Sequence, residues 1–94
     1  MTNDSHNNHP PDSPLIIERV QTGVRIEKRM LKVLKALAEY FDISLSDLLE
    51  GIVLHSFEGR SPFLAETRQR IATLKHVYDM DYDSSASHHL IEEN

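Results

Sequence analysis

The chain contains no cysteine and only three glycines among its 94 residues. The absence of thiols excludes a disulfide framework, a thiolate zinc site and a thiol nucleophile, and is compatible with a reducing compartment. So few glycines leave little material for a turn-rich β-barrel or a phosphate-cradling loop, so a mainly helical fold is expected. No apolar run approaches the roughly 18 residues that a membrane span needs. The N-terminus also lacks the basic and apolar regions of a secretion signal, so the sequence reads as soluble and cytoplasmic. A chain this short cannot divide into two units that each bury a core, which excludes a multi-domain enzyme.

The formal net charge of −5 would ordinarily argue against nucleic acid as a partner, but its distribution is uneven. Residues 1–14 carry Asp4 and Asp12 and no Lys or Arg, giving −2. Residues 15–39 carry six bases (Arg19, Arg25, Lys28, Arg29, Lys32, Lys35) and three acids (Glu18, Glu27, Glu39), giving +3. Residues 40–94 carry four bases and ten acids, giving −6. A basic first half followed by an acidic second half is the pattern of a polyanion site joined to a segment that repels the polyanion or binds something else. The plainer alternative is a solvated helix face followed by an acidic tail.

Apolar residues are equally uneven, with 19 of the 37 in residues 24–57, where the core is expected. Residues 1–14 have almost nothing to bury and read as a disordered arm. From Val20 to Glu27 the pattern alternates, with Val20, Thr22, Val24 and Ile26 on one side and Gln21, Gly23, Arg25 and Glu27 on the other. That period of two predicts a half-buried strand. From Lys28 to Phe41 the period becomes helical, with Met30, Leu34, Leu37 and Phe41 along the apolar stripe. Asp42-Ile43 interrupts it, and Ser44 with Asp47 three residues on resembles a capping box opening a second helix to about Phe57, ending near Gly59. A third helix is expected from Pro62 to Tyr78 and a short one after Ser84. Gly51, inside the second helix, suits a close helix crossing at a dimer interface.

A single strand has no partner in its own chain, and two helices spanning residues 28–57 cannot close a core alone. An obligate homodimer is therefore expected, with folding and association a single event. Its core would contain Val24, Ile26, Leu34, Leu37, Leu48, Leu49, Ile52 and Val53.

The order strand, helix, turn, helix resembles the ribbon-helix-helix superfamily of bacterial DNA-binding proteins, the Arc/MetJ/CopG type, over Gln21 to Phe57. The most telling stretch is Asp42-Ile43-Ser44-Leu45-Ser46-Asp47-Leu48-Leu49, similar to that family's turn motif at the start of the second helix. The resemblance implies a mainly α, intertwined ribbon-helix-helix dimer over residues 15–59, with residues 60–94 an acidic C-terminal helical extension. It implies that a two-stranded ribbon enters the major groove and that Gln21, Gly23 and Arg25 face the base edges. Arg can grip guanine through two donors and Gln can pair with adenine in the same way, whereas Gly23 offers no side chain. Phosphates would be held by the backbone N–H groups of Leu45 and Ser46 at a helix N-terminus, with Ser44 and Ser46 nearby and with Lys28 and Arg29. Relatives often carry Arg or Lys where this chain has Leu45, which removes a charge-assisted contact. The implied function is a dimeric transcriptional repressor or antitoxin-like regulator, whose acidic extension lies away from DNA and is available to a protein partner. The alternative is a dimeric protein–protein interaction module that has lost DNA binding.

The remaining motifs are weaker. Asp79-Met80-Asp81-Tyr82-Asp83 begins like a calcium loop, but Ser84 stands where the turn needs Gly, and Leu90 where a bidentate Glu belongs. The six histidines form no ligand set at fixed spacing, and no Ser, His and acid grouping suggests a nucleophile. Neither a metal, a cofactor nor catalysis is expected.

Overall fold

A computed structural model describes residues 14–93 of the chain. Three α-helices form in succession, α1 (Lys28–Phe41), α2 (Leu45–Phe57) and α3 (Ala65–Val77), followed by a single 3-10 turn at Ser84–Ala86. α1 packs against both α2 and α3 and is the centre of the arrangement.

Each helix starts and stops for local reasons. The Glu27 carboxylate accepts hydrogen bonds from the backbone N–H groups of Arg29 and Met30, satisfying two donors that the first turn of α1 cannot. α1 ends where Asp42 turns left-handed (φ 58°), with the Ile43 N–H donating to the Ala38 carbonyl at 3.0 Å, the six-to-one bond of a Schellman stop. Ser44 Oγ then accepts from the Asp47 N–H at 3.0 Å and opens α2. Gly59 (φ 69°) closes α2 in the same way, with Arg60 N–H bonding the His55 carbonyl at 2.9 Å. At the end of α3 the left-handed residue is Asp79 (φ 56°), and the Met80 N–H donates to the Lys75 carbonyl at 2.8 Å.

The core is small. Among the described residues, Val33, Leu37, Ala38 and Leu48 are the buried apolar ones, and only Leu37, at 1% exposure, is fully enclosed. Leu34, Ile52, Phe63, Ile71 and Leu74 pack around Leu37, Ala38 and Leu48 as a half-buried shell. Most of the remaining apolar surface stays open, including Leu15, Ile16, Ile17, Val20, Val24, Val53, Leu54 and Phe57.

The expected ribbon-helix-helix fold with its β-strand at Val20–Glu27 is not what the structure contains: the described residues form helices and no strand or sheet. Residues 14–26 are without regular secondary structure, and their backbone groups make no hydrogen bond to other backbone groups among the described residues. The physical reason is that a strand is defined by its ladder. Alternation selects a backbone path, but the chain has no second alternating run to pair with it. A smaller correction concerns α3, which begins at Ala65 rather than Pro62, because Phe63 turns into the core while Leu64 remains extended (ψ 164°). Around Gly51 an added Cβ would meet nothing within 4 Å among the described residues, so this face of α2 is open. The arm expected over residues 1–14 lies, apart from Pro14, outside the described residues.

Leu37→Ala removes the one fully enclosed side chain among the described residues and is expected to lower unfolding free energy by about 2–5 kcal/mol in urea titration. Gly59→Ala, which strains a left-handed position without a steric clash, is expected to cost about 1 kcal/mol. A Leu37→Ala loss below that for Gly59→Ala would contradict this description of the core.

Candidate nucleic-acid interface

The residues expected to touch DNA divide into two groups. Gln21, Gly23 and Arg25 are exposed on the irregular segment before α1, Lys28 is exposed at the first residue of α1, and Arg29 is half-buried one position further. Ser44 and Ser46 are exposed at the start of α2, with Leu45 partly covered between them. The backbone N–H groups of Leu45 and Ser46 have no hydrogen-bond partner among the described residues, while Ser44 is occupied as the α2 cap. Asp47 adds a negative charge to that same first turn, which favours the helix and opposes a phosphate. Of the expected dimer core, Leu37 and Leu48 are buried within the single chain, Leu34 and Ile52 pack against them, Ile26 and Leu49 are half-buried, and Val24 and Val53 are open.

The segment before α1 is tied to the helices by charge. Arg19 donates from Nε and Nη2 to the two Glu50 oxygens at 2.9 and 2.8 Å, a bidentate pair linking it to the middle of α2. The guanidinium holds the Glu50 carboxyl below its ordinary pKa through that hydrogen bond and its charge.

A second cluster forms at the start of α1, and sequence reasoning did not anticipate it. Besides capping α1, the Glu27 carboxylate accepts from Arg29 Nε at 3.1 Å and from the Tyr82 hydroxyl at 2.5 Å. Arg29 Nη1 donates to the Asp79 carbonyl at 3.0 Å and to Asp81 Oδ1 at 3.2 Å. The Arg29 guanidinium also lies 5.4 Å from the centre of the Tyr82 ring, within cation–π range. Next to it, Lys32 Nζ sits 5.9 Å from the Tyr78 ring centre, and Glu92 pairs with Arg25. The segment following α3 thus returns to the basic residues on and before α1.

The Tyr82 hydroxyl, followed by its other hydrogen-bond donors, holds the Glu27 carboxyl down from 4.5 to about 2. Burial, followed by its bond to Glu27, pushes the Tyr82 phenol up from 10.0 to about 12. The two shifts define a window. Depression of Glu27 stabilises the folded state above pH 4.5, and that contribution is lost as the pH falls towards about 2. Elevation of Tyr82 contributes fully below pH 10.0 and is lost as the pH rises through about 12.

A tyrosinate absorbance titration of the full chain, minus that of Tyr82→Phe, is therefore expected to isolate one phenol ionising near pH 12. A difference curve centred at 10 would show that Tyr82 does not dock on Glu27. No protein-family model, curated protein or solved structure matches this chain.

Proposed function

We propose that the chain acts as a dimeric, cytoplasmic, sequence-specific DNA-binding regulator of transcription. The observation that carries this reading is the segment before α1. Gln21 and Arg25 are exposed in alternation with Val20 and Val24, which are 79% and 74% exposed. A second copy that covers Val20 and Val24 would leave Gln21 and Arg25 available within residues 15–39, whose net charge is +3. Further apolar surface at Val53, Leu54 and Phe57 of α2 is open to the same second copy. Among the described residues no helix is long and apolar enough to cross a membrane.

In this reading Arg25 and Gln21 read base edges, since each can offer two groups in one plane to a purine. Lys28, Arg29 and the free N–H groups of Leu45 and Ser46 position the backbone of the duplex. Leu45 in place of a base, with Asp47 beside it, lowers the electrostatic share of affinity, so base readout carries more of the selectivity.

A second reading, a dimeric protein–protein interaction module without DNA binding, is favoured by one observation: Arg25 and Arg29 are already paired with carboxylates. Selection from genomic fragments followed by fluorescence anisotropy separates the two. The DNA-binding reading expects a dimer by sedimentation, a selected sequence, and affinity that falls with salt. Arg25→Ala is then expected to lose about tenfold or more on the selected site and little on random DNA. A stable monomer, or a stoichiometric protein partner with no salt-sensitive DNA binding, would refute it.

A further inference from the structure

We propose that the acidic C-terminal segment is a built-in competitor for DNA, anchored at Tyr82 and latched onto the DNA-reading arginine through Glu92. The inference rests on the DNA-binding reading above and adds a regulatory contact to the same site.

Three observations lead to it. First, residues 79–94 contain five acids (Asp79, Asp81, Asp83, Glu92, Glu93) and no Lys or Arg, so the segment is itself a short polyanion. Second, it lies on the basic residues of the candidate interface rather than away from them. Arg25 donates from Nη2 to Glu92, and Arg29 donates to both the Asp79 carbonyl and Asp81. A carboxylate on a guanidinium makes the kind of contact that a phosphate would make. Third, the contacts differ in how easily they are released. Tyr82, half-buried, is held by hydrogen bond and ring contact between Glu27 and Arg29. The Arg25–Glu92 pair is exposed on both sides, at 83% and 62%, and an ion pair in such a setting is weak and sensitive to salt.

An anchor ten residues from a weak latch gives competition without a permanent block. Tethering raises the local concentration of the Glu92 carboxylate to about millimolar. DNA must replace that carboxylate at Arg25 before the side chain can reach a base. Docking at Tyr82 can persist while the latch opens, so the segment returns once the DNA leaves.

The test uses the full chain and a duplex carrying the selected site. Glu92→Gln removes the latch. Glu66→Gln, in the first turn of α3 and outside the cluster, changes net charge equally and serves as the control. Glu92→Gln is expected to tighten DNA binding about two- to fivefold and to steepen the slope of log K against log salt by about one, with Glu66→Gln near wild type. Tyr82→Phe, which loses the anchor's hydrogen bond, is expected to shift binding in the same direction as Glu92→Gln. Equal shifts for Glu92→Gln and Glu66→Gln would overturn the inference, because net charge alone would then account for both. DNA binding by wild type that Glu92→Gln leaves unchanged would overturn the competitor while preserving the DNA-binding reading. Absence of binding by every form at low salt would overturn that reading and the competitor with it.

Discussion

The Glu27 carboxylate is the point at which the start of α1 and the segment after α3 meet. It starts α1 by accepting from the Arg29 and Met30 backbone, and it receives the Tyr82 hydroxyl and Arg29 Nε. A carboxylate that satisfies helix donors, an arginine and a phenol at once can lie largely covered, at 23% side-chain exposure, without an unpaired charge. Because α1 is also the helix against which α2 and α3 pack, the same residue sets where the central helix begins and where the chain after α3 returns. The residues around it are those that favour polyanion contact, so the fold and the proposed control of binding share one cluster.

What the sequence made legible was what short-range physics determines. The bounds of α1 and α2 follow from an apolar stripe at helical spacing, a Ser44 cap, a break at Asp42-Ile43 and a Gly59 stop, all readable within a few residues. Leu34, Leu37, Leu48 and Ile52, expected in the core of a dimer, pack together within the single chain. The strand was not settled by its alternation, since pairing depends on a partner that the alternating residues do not specify. Pro62 marked a plausible helix start, but the long-range packing of Phe63 moved that start to Ala65.

The Glu27–Tyr82 contact was the least accessible feature, because its partners are 55 residues apart and neither carries a local signal of the other. In the sequence, Asp79-Met80-Asp81-Tyr82-Asp83 resembles an incomplete calcium loop. Its residues have separate structural duties instead. Asp79 takes the left-handed position after α3, Asp81 meets Arg29, Tyr82 meets Glu27, and Asp83 accepts from the Ser85 backbone to start the 3-10 turn. The acidity of the tail, read from the sequence as a reason for it to lie away from DNA, has the opposite consequence in the folded chain. Opposite charges attract within a molecule as they do between molecules, so Asp81 and Glu92 come to rest against Arg29 and Arg25 at the basic start of the fold.

The central claim is that one surface, running from Gln21 to Arg29, serves both DNA and the chain's own acidic segment. Chemical-shift mapping of the isotope-labelled full chain during titration with a selected duplex tests it most directly. The account predicts the largest changes at Gln21, Arg25 and Lys28 and in the first turn of α2, accompanied at the same stoichiometry by changes at Glu92. Changes confined to α3, or changes at Arg25 with Glu92 unaffected, would contradict it.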